Sequence, residues 1–419
     1  MAVKTELPGA DRPADLALRR QAEAVGEALQ LSVADMLDRL AAAGRRDQKA
    51  LQATLQLSQS VVSRLMSSVR QGDPLATLAS IPGQEALRQM LRGASRAGAG
   101  PDCVARVQQA IDDYEAFVDT QVGDRATLDA VLSDWVHESR ASFELRHKAA
   151  AFKAMSALRG VQADLVFTTG ILHPGGEPGR LDCLGLDGVL GCRRTRPSGV
   201  LHLFGYTLMP DREDGQDHRI TGLAGQPLRS MADVLVPAFS TVPPEAVHTE
   251  RLGDVVQTTV GGLPLGRVPL PGADLVCAQH LHGMHRAWRA PGSSATTGIG
   301  GQAEPPTACF IVDVLLHEDV WPGVQPELQV LDTVVRGVAH PDDASRQADR
   351  IDTLESVQFL GRGPDSFRMP EYPRYTELVR QACETAAWDA GRLRGYRCRV
   401  RYPIYGAQIG LGFRLPDAP

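Results

Sequence analysis

The sequence predicts a multidomain chain with an N-terminal all-α domain, a helical connector and a C-terminal α+β domain with a largely antiparallel sheet. Three observations carry this. A length of 419 residues favours two or three domains over one. Of the 41 Gly and 28 Pro, few fall in the first 80 residues, whereas the stretch from Gly160 onward is dense in both. The apolar spacing changes at the same place, from the three-to-four-residue step of helices to short runs between turn residues.

Residues 1–13 are polar, hold Pro8, Gly9 and Pro13, and read as a disordered tail. From Ala14 the pattern turns helical, with Leu16, Leu18, Ala22, Val25, Leu29 and Leu31 in a partial stripe. Ser32, with Asp35 three residues on, is the expected cap of a second helix carrying Met36, Leu37 and Leu40, which Gly44 ends. Asp47 is a good N-cap for a helix over 48–55. Ser58 is one for a helix over 59–71, with Gly72 at its C′ position. Asp73-Pro74 starts a short helix, since Pro suits the first turn. "IPG" at 81–83 breaks it, and "QEALRQMLRG" forms one more.

The small, Gly-rich segment 93–101 reads as a linker. Two longer helices follow, over about 102–122 and 124–158. The second carries Leu128, Val131, Leu132, Trp135, Val136, Phe143, Leu145, Phe152, Met155 and Leu158. Such a stripe suits either dimerisation or packing on its own chain. Beyond Gly160, "ADLVFTTGILHP", "LDCLGLDGVLGCRR", "GVLHLFGYTLMP", "VVQTTVGG", "ADLVCAQHLH", "TACFIVDVLLHED", "ELQVLDTVVRGVA" and "YRCRVRYPI" read as strands. One confident helix, 375–391, interrupts them, hence an α+β domain. The expected boundaries are an N-terminal helical module over 14–92, the linker 93–101, the connector 102–159 and the α+β domain 160–419.

Charge is distributed unevenly. The net charge is −6, yet Arg39, Arg45, Arg46, Lys49, Arg64, Arg70, Arg88, Arg92 and Arg96 face only Asp47, Asp73 and Glu85 within their segment. A basic module on an acidic body suits contact with nucleic acid, and equally a solvated helix surface. The seven Cys are scattered without a C-x-x-C pair, which reads as buried thiols in a reducing cytoplasm rather than a disulfide framework. The first residues lack an apolar core of the secretory kind, and no run approaches 18 apolar residues, so neither export nor a membrane span is expected.

The segment "QKALQATLQLSQSVVSRL" (48–65) brings these signals together. Leu51 and Leu55 lie four apart, Leu57 falls in the turn, and Val62, Leu65 and Val69 form the inner stripe of the second helix. Ser58, Gln59, Ser60, Ser63, Arg64 and Ser67 are left facing out. Gln pairs with adenine, Arg with guanine, and Ser reaches phosphates or either base. The segment resembles the bacterial helix-turn-helix transcriptional regulators at Gln48, Leu51, Leu55, Leu57, Ser58, Gln59, Ser60, Val62, Ser63 and Arg64. It departs at Gln52, where that family usually has Ala at the close helix contact, and at Gln56, where it usually has Gly in the turn. The resemblance spans about 32–72 and implies double-stranded DNA as partner. With the local charge it nominates Arg45, Arg46, Lys49, Ser58, Gln59, Ser60, Ser63, Arg64, Ser67 and Arg70 as DNA-binding residues.

Elsewhere, "QHLHGMHRAW" (279–288) gathers His280, His282 and His285, which can hold Zn²⁺ or serve as ordinary polar residues. His317, Glu318 and Asp319 suit either a general base or a solvated turn. "GSSATTGIGG" (292–301) lacks the lysine of a P-loop and reads as a flexible loop. No catalytic residue is nominated and no cofactor follows. The expected function is a cytoplasmic, homodimeric transcriptional regulator whose C-terminal domain senses a small molecule or protein effector. A metal-dependent enzyme or a structural assembly protein with an N-terminal helical adaptor are the alternatives.

Overall fold

The structure, a computed structural model, describes residues 13–42, 48–204, 220–228, 230–252, 255–266, 272–289, 296–340 and 343–418. The chain forms N-terminal helices and a C-terminal mixed-sheet region, and splits into two compact units, Met1–Arg146 and His147–Pro419.

The first unit is helical: α1 (Pro13–Ala42), α2 (Gln48–Leu55), α3 (Gln59–Ser68), α4 (Pro74–Ser80), α5 (Gln84–Arg96), α6 (Pro101–Phe117) and α7 (Arg125–Trp135). Helix α8 (His137–Arg159) starts at its end and runs into the second unit. One core gathers Leu29, Met36, Leu40, Leu55, Leu65, Leu75, Leu78, Met90, Val107, Ile111 and Tyr114, all buried. Burying each large apolar side chain contributes about 1.5–3 kcal/mol, which is what holds such short helices in place. The Ser58 hydroxyl accepts from the Val61 amide and caps α3, and an Asp73 carboxylate oxygen accepts from the Leu75 amide and caps α4.

Three expectations change here. Ser32 does not start a second helix: α1 is continuous, and the Ser32 hydroxyl donates to the Ala28 carbonyl 2.7 Å away, one turn back. Segment 93–101 is not a loose linker. Helix α5 runs through it to Arg96, and Ala94 and Ala99 are buried. Gly93 sits so close to α2 that a side chain there would meet the Leu55 backbone at 2.7 Å, so the small residues that read as flexible serve close packing. The long helix 124–158 is broken at Val136, whose extended backbone ends α7. Its apolar stripe is divided accordingly: Trp135 packs against the first unit's core, and the Phe152 ring lies 5.4 Å from Tyr402 in the second unit. The stripe that suited dimerisation is therefore covered at both places by the chain's own residues. Gly44 and the expected cap Asp47 lie outside the described residues.

The second unit holds β1 (Val161–Pro174), β2 (Arg180–Arg194), β3 (Leu201–Phe204), β4 (Ile220–Gly222), β5 (Val247–Leu252), β6 (Val255–Val260), β7 (Ala273–Arg286), β8 (Thr296–Gln302), β9 (Thr307–His317), β10 (Glu327–Leu331), β11 (Val357–Arg362), α9 (Tyr375–Thr385), β12 (Leu393–Arg401) and β13 (Gln408–Arg414). The main sheet runs β11-β12-β9-β1-β2-β7-β4, flanked by the three-stranded sheets β10-β13-β8 and β3-β6-β5. Among the described residues β1 and β9 pair in parallel and the other strand pairs are antiparallel, so the sheet is mixed. The Gly-rich stretch expected as a loop is, from Thr296, strand β8, with Gly298 and Gly300 opposite Gly412 and Gly410 of β13.

Strand alternation assigns the two faces of the main sheet. Val166, Leu172, Val312 and Val314 enter the core shared with β8 and β13, whereas Leu165, Phe167, Ile171, Leu184, Val276 and Leu315 enter the one covered by α9. On the α9 side Arg397 donates to both Asp313 oxygens, at 2.8 and 2.7 Å, and to the Phe367 and Arg368 carbonyls. Tyr375, whose hydroxyl is 2.9 Å from Thr169 Oγ1, lies beneath that guanidinium. The pair is almost wholly buried, and its extra hydrogen bonds are what such a pair needs to offset desolvation.

Candidate functional site

Two places gather polar side chains that packing alone does not account for, although some of them, Ser58 and Arg64 among them, also hold the fold. The first is α2–α3. Leu51, Leu55, Leu57, Val62 and Leu65 are buried, while Ser58, Gln59, Ser60, Ser63, Arg64, Ser67 and Arg70 are exposed, as is Lys49 on α2. Gln56 turns the chain with a φ of 54°, the left-handed conformation that Gly adopts without strain. The Gln56 carbonyl accepts from Gln89 and its side-chain oxygen from Arg96, which offsets the strain. Gln52 is half-buried, and the close approach to α2 is made by Gly93 of α5 against the Leu55 backbone.

The charge of this region is smaller than the sequence count implies. Arg39 pairs with Asp35, Arg88 with Glu115 and Arg92 with Glu85. Asp35 and Glu115 lie outside the counted segment. Arg64, exposed, donates to the Ser80 and Ile81 carbonyls at 2.9 and 3.3 Å, bracing α3 against the end of α4. Lys49 and Arg70 make no ion pair among the described residues. Arg45 and Arg46 lie outside the described residues.

The second place is a row across the main sheet, on its α9 side. His317 ends β9, His173 ends β1, Asp182 begins β2 opposite His173, and His280 and His282 lie on β7. The rings of His173 and His317 are 4.5 Å apart and those of His280 and His282 are 3.8 Å apart. Trp388, just after α9, stacks on His173 at 4.6 Å and meets His280 edge-on at 5.4 Å. One ligand atom each from Asp182, His280 and His282 lie within 4.8 Å of one another. The Nε2 atom of His280 is buried and has no hydrogen-bond partner among the described residues. Burial, and then the neighbouring His282, hold the His280 pKa below the usual imidazole range. Burial, His173 and Arg392 do the same for His317.

His285 does not join this group. Gly283, at φ 67°, bulges β7 and shifts its register against β2, so His285 pairs with Leu181 and its Nδ1 lies 3.2 Å from the Thr297 hydroxyl. Burial pushes its pKa down to about 4. The bulge puts Asp182 in place of His285, because the Gly283 amide donates to Asp182 Oδ1 at 2.7 Å. Of the group His317, Glu318 and Asp319, only His317 and Asp319 meet, with His317 Nδ1 3.5 Å from Asp319 Oδ2. Arg392 binds both carboxylates, and the Asp319 amide donates to His317 Nδ1.

Asp182, His173 and Trp388 went unnamed in the sequence because nothing nearby in the chain marks them. Only the register of β1, β2 and β7 and the end of α9 unite them. All seven cysteines are buried and free, and burial pushes Cys183, Cys192, Cys383 and Cys398 up to about 12, so none is set up as a nucleophile. Among the described residues no helix is long and apolar enough to cross a membrane. Comparison with family models, with curated proteins and with solved structures finds no match for this chain.

Proposed function

We propose that the protein is a DNA-binding transcriptional regulator whose α2–turn–α3 segment enters the major groove. The observation that carries this reading is the outward face of α3. Gln59, Ser60, Ser63 and Ser67 form a polar, uncharged, exposed strip on a helix whose other face is locked into a core by Val62 and Leu65. Any solvated helix face carries polar side chains, so the weight lies on their kind: three serines and one glutamine, all uncharged. A recognition helix needs them for base edges and phosphates. The left-handed turn at Gln56 supports the same reading, because it occupies the position where the resembled family places Gly.

Arg64 takes a different part from the one its exposure implied. Its guanidinium is engaged with the end of α4, so base contacts fall to Gln59 and the serines, and phosphate contacts to Lys49 and Arg70. A single head of this kind offers few base contacts, so the working form is a homodimer on two half-sites. The second unit then serves as the sensor or interaction domain.

Fluorescence anisotropy of the full chain against a random-sequence duplex pool, repeated over a series of salt concentrations, tests the proposal. Affinity is expected to fall steeply with salt, with the logarithmic slope near −0.9 per neutralised phosphate. Binding that is absent at low salt, or indifferent to salt, overturns it.

A further inference from the structure

We propose that Asp182, His280 and His282 form a binding site for one divalent first-row transition ion, Zn²⁺ being the ion their donors suit best. The inference stands apart from the DNA reading, since every residue in it belongs to the second unit. The three donor atoms lie within 4.8 Å of one another, so small rotations of the side chains bring them to the roughly 3.4 Å separation of ligands bonded to one ion at about 2.0–2.2 Å. Two imidazoles and one carboxylate favour a borderline transition ion over Mg²⁺ or Ca²⁺, which prefer oxygen donors.

Local structure orients each donor. The bulge at Gly283 aims a backbone N–H at Asp182 Oδ1 and so fixes the carboxylate. The Thr221 hydroxyl lies 3.2 Å from His282 Nε2 and fixes that ring. Such outer contacts are what hold metal ligands in geometry. His280 is the independent sign. Its buried Nε2 finds no hydrogen bond among the described residues, and buried polar atoms are rarely left so unless a further group meets them. Trp388 and His173 close one side: His173 Nδ1 is engaged with the Pro174 carbonyl, and the Trp388 ring stacks against it. Three protein donors leave a coordination position open, which distinguishes this site from a closed structural zinc centre and leaves room for water or an anionic ligand.

The test uses the untagged full chain, stripped with chelator and titrated with Zn²⁺ by calorimetry and with Co²⁺ by visible absorption. Binding of one ion per chain is expected, with Co²⁺ d–d bands of low-symmetry coordination and quenching of tryptophan fluorescence. His280→Ala, His282→Ala and Asp182→Asn are each expected to weaken binding at least about tenfold. His248→Ala, on β5 in another sheet, leaves it unchanged. Trp388→Phe keeps the affinity and loses most of the quenching, which ties the ion to this ring even where a ligand variant folds poorly. Titration by Mg²⁺ but not Zn²⁺, no binding of either transition ion, or equal binding by the wild-type chain and the ligand variants overturns the proposal.

Discussion

The two units handle polar groups in opposite ways. In the first, polar side chains sit mostly on the outside of helices whose inner faces are apolar; Arg39 and Arg92 pair with carboxylates at the surface, and Arg125, which reaches in to Asp129, Tyr114 and the Leu78 and Ala79 carbonyls, is the exception. In the second, charge and imidazole are drawn inside, in the Asp313–Arg397 pair and in the histidine row beside Trp388. Surface groups are free to meet a large partner such as DNA at little cost. Buried groups are committed to one geometry, and each needs its own partner.

Breaking the Asp313–Arg397 pair is the most severe way to test this contrast. Arg397→Met leaves an uncompensated carboxylate in the core, and is expected to destabilise the second unit by about 3–5 kcal/mol in a denaturant titration. Surface Arg92→Ala, which loses only the exposed pair with Glu85, is expected to change stability by less than about 0.5 kcal/mol. Similar losses from both would erase the distinction between the units.

The contrast also sets what was legible in the sequence. The first unit was readable because each of its signals is local: Leu51, Leu55, Leu57, Val62 and Leu65 fall at helical steps, and Ser58 and Asp73 are caps next to the helices they begin. Its misreadings came from small residues and from charge. Gly93 and Ala94 looked flexible and are packed, the acid that neutralises Arg39 lies one turn back on the same helix, just before the counted segment, and the one that neutralises Arg88 comes from α6. In the second unit the long strands β1, β2, β7, β9 and β12 were readable from alternating or continuous apolar runs. Strand β8 was not, because glycine-on-glycine pairing with β13 shows no apolar period. The histidine row was half visible. His280 and His282 stood out as neighbours, but Asp182, His173 and Trp388 meet them only through strand register and the end of α9, which no local spacing encodes.

A pH titration sharpens the contrast with a smaller effect. Burial raises Asp187 to about 6, above its value of about 4 in an unfolded chain, so its stabilising share is full below about pH 4 and is lost as pH rises through 6. His285, pushed down to about 4, acts in reverse: its share is present above about pH 6.5 and is lost as pH falls toward 4. The two slopes oppose each other in wild type. Asp187→Asn is therefore expected to leave stability rising with pH from 4 to 6.5, by an amount on the order of 2–3 kcal/mol. A flat or falling profile in that variant contradicts the assignment.

The mildest test concerns the turn. Gln56→Gly relieves a left-handed non-glycine residue but removes the Arg96 contact, so a net gain below about 1 kcal/mol is expected in thermal unfolding. A clear loss of stability, with altered packing of α3, indicates that the turn is held by its side chain rather than by its backbone.

The most direct measurement of the DNA reading compares two full-length proteins on one DNA. Duplexes enriched from a random pool by the wild-type chain are titrated against wild type and against a Gln59→Ala, Ser63→Ala, Ser67→Ala triple variant. The expected result is that the variant keeps its fold and its salt-dependent binding to scrambled duplex. It is also expected to lose at least about tenfold in preference for the enriched sequence, since one good base contact is worth roughly 1–3 kcal/mol. A wild-type chain that enriches no sequence, or a triple variant that retains the full preference, contradicts the assignment of α3 as the reading helix.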